Sequence, residues 1–306
     1  MKLTRRNLIK LGAGAGVASV SAPWGALFAA ESTVHMTTIP STGQKIPSVG
    51  IGTNRYRGNV ESDDMAQLAR TLEAFHKAGG RVIDTSPNYG NSEEVLGKLL
   101  NDLGLRDRVF MATKVDREDQ AEGRERMEQS FQQLRGPIDL MQVHNLRGTE
   151  VELETMMAWK KEGRFKYIGI TTHRVSQHAD MERFMKKYPL DFIQVNYSIA
   201  DRASADRILP LAIDRGIAVL VNRPFGNGSL FGAVKGVDLP AWAADIDASS
   251  WGQVFLKYII SHPAETVPIP GTTKPHHAED NMGAMAGRMP DAGLRKEIEK
   301  TMDALL

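Results

Sequence analysis

Apolar positions along this chain fall into two alternating patterns: short Val- and Ile-rich runs, and longer amphipathic stretches with apolar residues every three or four positions. The first predicts strands buried on both faces, the second predicts helices with one buried face. A hairpin pattern leads, with residues 34–39 and 44–46 flanking a polar turn at Ser41-Thr42-Gly43. An apolar strand over 49–53 follows, then a helix over 62–78 that Gly79-Gly80 stops. Further strands are predicted at 81–85, 109–115, 139–144, 167–171, 192–196, 218–222 and 266–270. Helices are predicted at 92–103, 122–134, 149–162, 176–187, 204–214, 249–261 and 274–286. Eight strand–helix units predict an α/β fold closed as a (β/α)8 barrel. The alternative, an open doubly wound sheet, lacks the expected Gly-x-Gly-x-x-Gly after the first strand. Two stretches, 226–247 and 290–306, lie outside the repeat, and the first is expected to form a loop over the top of the barrel.

Composition narrows the function. At 42% hydrophobic and 25% charged, the 306 residues are those of a globular protein, not a disordered or polytopic membrane chain. No linker or composition break interrupts 31–306, so one domain is expected there. Lys and Arg number 38 against 37 Asp and Glu, which leaves no electrostatic footprint for nucleic acid. The absence of Cys removes thiol catalysis, zinc–thiolate sites and disulfides together.

Residues 1–30 read differently from the rest. Their only charges are Lys2, Arg5, Arg6 and Lys10, followed by an Ala- and Gly-rich apolar run. The stretch Thr4-Arg5-Arg6-Asn7-Leu8-Ile9-Lys10 resembles the twin-arginine export motif, with Leu8 where that motif favours Phe. The resemblance implies recognition by the twin-arginine export machinery, a periplasmic location and no stable membrane insertion after cleavage. Cleavage is expected near Ala30, although Phe28 makes the site poor; an uncleaved segment would act as an anchor. The processed chain would carry 34 basic against 37 acidic residues, a net charge of −3.

In such barrels the carboxyl ends of the strands build the site. Asp84 ends the second predicted strand, with Tyr89 five residues on; Lys114 ends the third and His144 the fourth. Singly, each has a plain structural role available: a turn cap, a solvated strand end, a packed ring. Together they form a proton-relay set. Reduction of a carbonyl by hydride creates an alkoxide that needs a proton. A free Tyr, with a pKa near 10, is too weak an acid for that near neutrality. A neighbouring Lys ammonium favours the tyrosinate, Asp84 would hold Lys114 charged, and His144 would hydrogen-bond the carbonyl oxygen.

These residues carry a resemblance to the aldo/keto reductase family. Matching stretches include residues 46–53, Asp84-Thr85-Ser86-Pro87-Asn88-Tyr89-Gly90, Glu93-Glu94-Val95-Leu96-Gly97, Lys114, Val143-His144, Gly169-Ile170-Thr171 and 194–197, continuing through 216–226 and 269–281. The resemblance covers about residues 35–290. It implies a TIM barrel whose N-terminal hairpin closes the bottom. It also implies a small-molecule carbonyl substrate, a nicotinamide cofactor, and Asp84, Tyr89, Lys114 and His144 as the catalytic tetrad with Tyr89 the acid.

The cofactor positions match the family less well. Thr171 and Thr172 stand where the family has Ser-Asn, while Gln194 is retained. Asn222 replaces an aromatic and Arg223 a Ser, with Pro224 and Gly226 kept; Arg223 is expected at the pyrophosphate or in a rim salt bridge. Residues 270–281 resemble the loop that holds the adenosine phosphate. There Gly271, Thr272, Thr273, Lys274 and the first amides of the last repeat helix would meet phosphate. His277 stands where many members carry Arg, and Asn281 fits the adenine contact. Lys274 therefore carries the preference for NADPH, and NADH stays open. His276-His277 as a metal pair is rejected, since adjacent imidazoles are expected to point apart, and no metal is expected. Arg55, Tyr56, Arg223 and Phe225 are expected near the mouth. Two other functions remain in view: an exported nucleotide-binding or sensing protein with little turnover, and a Schiff-base lyase using Lys114.

Overall fold

Residues 34–60, 62 and 65–306 are described by the structure, a computed structural model. The proposed export segment lies outside them. The hairpin forms as predicted, from β1 (Met36–Thr38) and β2 (Lys45–Pro47), paired antiparallel with Thr37 opposite Ile46.

The barrel follows in strict alternation. β3 (Ile51–Gly52) leads to α1 (Met65–Lys77), and β4 (Val82–Asp84) to α2 (Ser92–Asp102). β5 (Phe110–Val115) leads to α3 (Gln120–Leu134), and β6 (Leu140–Val143) to α4 (Thr149–Lys161). β7 (Tyr167–Thr171) precedes α5 (His178–Lys187), and β8 (Phe192–Asn196) precedes α6 (Ile208–Arg215). β9 (Ala218–Asn222) is followed by a short α7 (Ser229–Ala233), a 3-10 turn (Ala241–Ile246) and α8 (Trp251–Ile260). β10 (Thr266–Pro268), α9 (Pro275–Gly283) and α10 (Ala292–Asp303) complete the chain. Strands β3 to β10 are parallel and pair in sequence order. A bridge between Gly52 and Gly271 and the bond from Gly50 N to Pro268 O (2.9 Å) join the last strand to the first. The predicted (β/α)8 barrel is thus observed.

Helix boundaries follow local chemistry. Asp119 accepts from the amides of Ala121 and Glu122, so α3 starts at Gln120, two residues earlier than predicted. The helix predicted over 204–214 splits into a 3-10 turn at Ala203–Ala205 and α6. Pro210, which has no amide proton, is accommodated in the first turn of α6.

One apolar layer fills the space between sheet and helices. A second fills the barrel's lower interior, where Phe110, Tyr167 and Phe192 pack with ring centroids 5.7–5.9 Å apart. Ile39 and Ile46 of the hairpin belong to this inner cluster. The Tyr167 hydroxyl meets Thr42 Oγ1 and donates to Gln44 Oε1, each at 2.8 Å. The hairpin therefore plugs the amino-terminal end and leaves the carboxyl end open. Among the described residues no helix is long and apolar enough to cross a membrane.

Candidate active site

The open end of the barrel holds a cavity of about 650 Å³, lined from loops after nearly every strand. Asp84, Tyr89, Lys114 and His144 all line it. Register places Asp84 on β4 beside Ala112 of β5, so Lys114, the next inward position of β5, lies one step above it and reaches back to its carboxylate. Lys114 Nζ contacts Asp84 Oδ1 and Oδ2 at 2.8 and 2.7 Å and donates to Thr85 O at 2.7 Å. Both side chains are almost fully buried. Burial alone would push the Lys114 pKa down, but the Asp84 charge, and then Tyr89, more than offset it, so the ammonium is favoured. That ammonium lies 5.3 Å from the centre of the Tyr89 ring. The His144 ring stands edge-on to Tyr89, with centroids 6.1 Å apart. The four residues predicted at the ends of three successive strands are together.

His144 is held neutral. Burial, with Lys114 nearby, pushes its pKa down to about 4. Its tautomer follows from its neighbours. Asn88 Nδ2 donates to Asp116 Oδ2 at 2.5 Å, which fixes the amide orientation, and the same nitrogen lies 3.3 Å from His144 Nδ1. Ser86 Oγ accepts from the Asn88 amide at 3.1 Å and sits 3.2 Å from Nδ1, so its hydroxyl proton is free to point there. Nδ1 is therefore the acceptor and Nε2 carries the proton. A neutral imidazole with Nε2–H is the form that donates to an oxygen. Asn88 and Asp116 were not among the expected site residues. Asn88 lies inside the Asp84–Tyr89 element and Asp116 two residues after Lys114, so spacing alone held the signal.

The expected cofactor residues divide into three groups. Thr171, Gln194, Arg223, Pro224 and Gly271 line the cavity. Gln194 Nε2 donates to Asn222 Oδ1 (2.7 Å) and Asp84 Oδ2 (3.3 Å), while its Oε1 is buried with no partner among the described residues. Gly226 opens the 3-10 turn Gly226–Gly228, whose Asn227 and Gly228 line the cavity. Thr272, Thr273, Lys274, His277 and Asn281 follow Gly271 on the loop and α9, outside the cavity lining. Thr172 also lies outside the lining. Its hydroxyl donates to Gln177 Oε1 (2.5 Å) and accepts from Arg174 N (3.1 Å), a local turn. Asn145 and His173 line the cavity on that side.

Three further expectations change. Tyr56 is fully buried, its hydroxyl donating to Thr272 O at 3.0 Å, so it is not at the mouth. The His276 and His277 rings do not point apart; their centroids are 4.3 Å apart. No group of three or more metal-binding side chains occurs among the described residues. Arg223 forms no ion pair with a described residue; it stands exposed, with φ +50°. Asn145 and Asn227 share that left-handed backbone, so three non-glycine cavity-lining residues hold it, as ligand-binding loops commonly do.

Fold and cavity together define a (β/α)8 barrel whose open carboxyl end gathers Asp84, Tyr89, Lys114 and His144 around one site. The comparisons agree in kind. A model of the aldo/keto reductase family matches residues 48–298, and the chain belongs to that family. It is 29% identical over 296 residues to aldo-keto reductase str7 of Strobilurus tenacellus, covering 82% of this chain and 86% of that one. It is 31% identical over 216 residues to aldo-keto reductase YhdN of Bacillus subtilis (strain 168), covering 65% and 64%. Among solved structures, the aldo/keto reductase of Klebsiella pneumoniae in complex with NADP and acetate superposes with a TM-score of 0.73. That match is 23% identical and covers 89% of this chain and 95% of that one.

Proposed function

We propose that this chain reduces an aldehyde or ketone to an alcohol with NADPH, and that Tyr89 donates the proton. The observation that carries the reading is the buried Asp84–Lys114 pair set against Tyr89, with His144 edge-on to the same ring. NADP or NADPH is present in the Klebsiella pneumoniae and Bombyx mori reductases of similar fold. The unpartnered, buried Gln194 Oε1 suits a carboxamide N–H, so the residues fit a nicotinamide. Thr171 and Gln194 would hold the carboxamide, and Arg223, Pro224 and Gly226 the pyrophosphate. Gly271, Thr272, Thr273 and Lys274 would hold the adenosine phosphate, with His277 and Asn281 at the adenine. Burial, His276 and Lys274 all lower the His277 pKa, so Lys274 supplies the charge that favours NADPH over NADH.

When bound, the nicotinamide supplies the hydride. The His144 Nε2–H orients the carbonyl oxygen, and Tyr89 delivers its proton to that oxygen as negative charge develops there. Lys114 stabilises the phenolate left behind, and Asp84 keeps Lys114 protonated. Tyr89→Phe is expected to bind NADPH as the wild type does, by fluorescence titration, while losing at least about 100-fold in kcat. Wild-type turnover in that variant would defeat the assignment.

We also read residues 1–30 as a twin-arginine signal ahead of the 31–306 barrel, which places the protein in the periplasm. The paired Arg5-Arg6 before an apolar run supports this. An Arg5→Lys, Arg6→Lys variant should stay in the cytoplasm on cell fractionation; unchanged export would refute the reading.

A further inference from the structure

The cavity's charge is one-sided. Asp84 is the only carboxylate among its lining residues, and it is committed to Lys114. Arg55 and Arg223 also line it, and neither has a carboxylate partner among the described residues. Arg223 lies beside the turn that would meet the pyrophosphate, which leaves Arg55 without an assignment.

Arg55 sits on a loop held firmly against the tetrad. Its neighbour Tyr56 is fully buried, bonded through its hydroxyl to Thr272 O and through its amide to Thr53 O at 2.9 Å. Asn91 holds the loop from the other side, donating to Gly58 O at 2.8 Å and accepting from Gly58 N at 3.2 Å. Arg57 runs along the Tyr89–Gly90 turn: a Cβ placed on Gly90 would stand 3.2 Å from Arg57 Cδ. The backbone that carries Arg55 is therefore fixed at the cavity wall before substrate arrives, which lowers the cost of using its guanidinium. The cavity also has an apolar wall, where the Phe225 and Phe231 rings meet edge to face at 4.8 Å.

We propose that the substrate is a carbonyl compound bearing a carboxylate, an oxo acid with an apolar body, and that Arg55 binds the carboxylate. A planar guanidinium suits a carboxylate because it offers two parallel N–H donors. The proposal rests on the reductase reading above. Two aldehydes of matched shape test it, 4-formylbenzoate and its methyl ester, each with NADPH and the mature chain. The acid is expected to have a kcat/KM about 10- to 100-fold above the ester, carried by KM, the range a charge-assisted hydrogen bond confers. Arg55→Met should abolish that preference and leave ester kinetics and NADPH affinity unchanged, and Arg55→Lys should restore part of it. Equal kcat/KM for the two wild-type reactions overturns the proposal. So does an Arg55→Met effect confined to NADPH affinity, which would assign Arg55 to the cofactor. If neither aldehyde turns over, the reductase reading is what fails. Calorimetry of 4-(hydroxymethyl)benzoate and benzyl alcohol on the NADP+-saturated protein then decides the anion site, since equal affinities overturn it and Arg55-dependent binding of the acid alone supports it.

Discussion

At the scale of single residues, the costliest feature is a charge where charge is not expected. Lys114 is 1% exposed, and Asp84 at 2% is the carboxylate that compensates it. Removing one partner of such a pair strands the other, while removing both leaves little behind. Lys114→Met is therefore expected to destabilise the fold by about 3–5 kcal/mol, with Asp84 left among the amides of Gln142 and Gln194. The double variant Asp84→Asn, Lys114→Met should regain most of that loss. Urea unfolding of the four proteins measures the coupling; additive losses would mean that the two charges do not stabilise one another. Tyr89→Phe, by contrast, removes only a hydroxyl at a partly buried position and should leave the unfolding midpoint almost unchanged.

At the scale of elements, the packing of α4 against α3 has a titratable group at its centre. Glu152, in the first turn of α4, is 1% exposed and lies directly over Gly123 of α3, where a Cβ would collide with its carboxylate. One oxygen accepts from the Arg117 amide at 3.0 Å; the other has no partner among the described residues. The helix dipole favours the carboxylate there, but burial outweighs it and raises the pKa from 4.5 to about 7. A carboxyl raised in the folded state takes up its proton more readily folded than unfolded. Its contribution is therefore greatest in acid and declines as pH rises between about 4.5 and 7. Glu152→Gln should flatten that decline, gaining about 1–3 kcal/mol relative to wild type between pH 5 and pH 8. Thermal unfolding at the two pH values checks this, and parallel curves for both proteins would refute it. Glu152 also marks what the sequence conceals. Strands β7, β8 and β9 coincide with their predicted ranges because each is a buried run bounded by polar or turn-forming residues on both sides. The tetrad was legible because strand ends are where such barrels place chemistry, and because Asp84 and Tyr89 share one short element. Tyr56, Thr172 and the Asp116–Asn88–His144 chain were not. Each is fixed by a partner chosen in three dimensions: Tyr56 by a carbonyl 216 positions away, Thr172 by a glutamine one turn on, His144 by an amide on another strand's loop. Hydrophobic periodicity carries no record of such pairings.

At the scale of the whole barrel, its weakest line is the seam where the last strand returns to the first. β3 has two residues, and it meets β10 through an isolated bridge and the bonds Gly50 N to Pro268 O and Gly52 N to Pro270 O (3.2 Å). Glycine is required there by close approach. A Cβ on Gly50 would stand 2.8 Å from Val82 O, and one on Gly52 would stand 2.9 Å from Ile269 O. The same seam carries both the loop of Arg55 and the Gly271–Thr272 segment, so the closure of the barrel and the wall of the cavity are one structure. Gly52→Val is expected to cost about 1–3 kcal/mol by overpacking. It should also weaken NADPH binding, with Tyr89, Lys114 and His144 still held at the carboxyl ends of β4, β5 and β6. Hydrogen exchange gives the local readout: protection should fall in β3 and β10 and persist in β6, β7 and β8. A uniform loss across all eight strands would mean that the barrel opens as one cooperative unit and that the seam is no weaker than the rest.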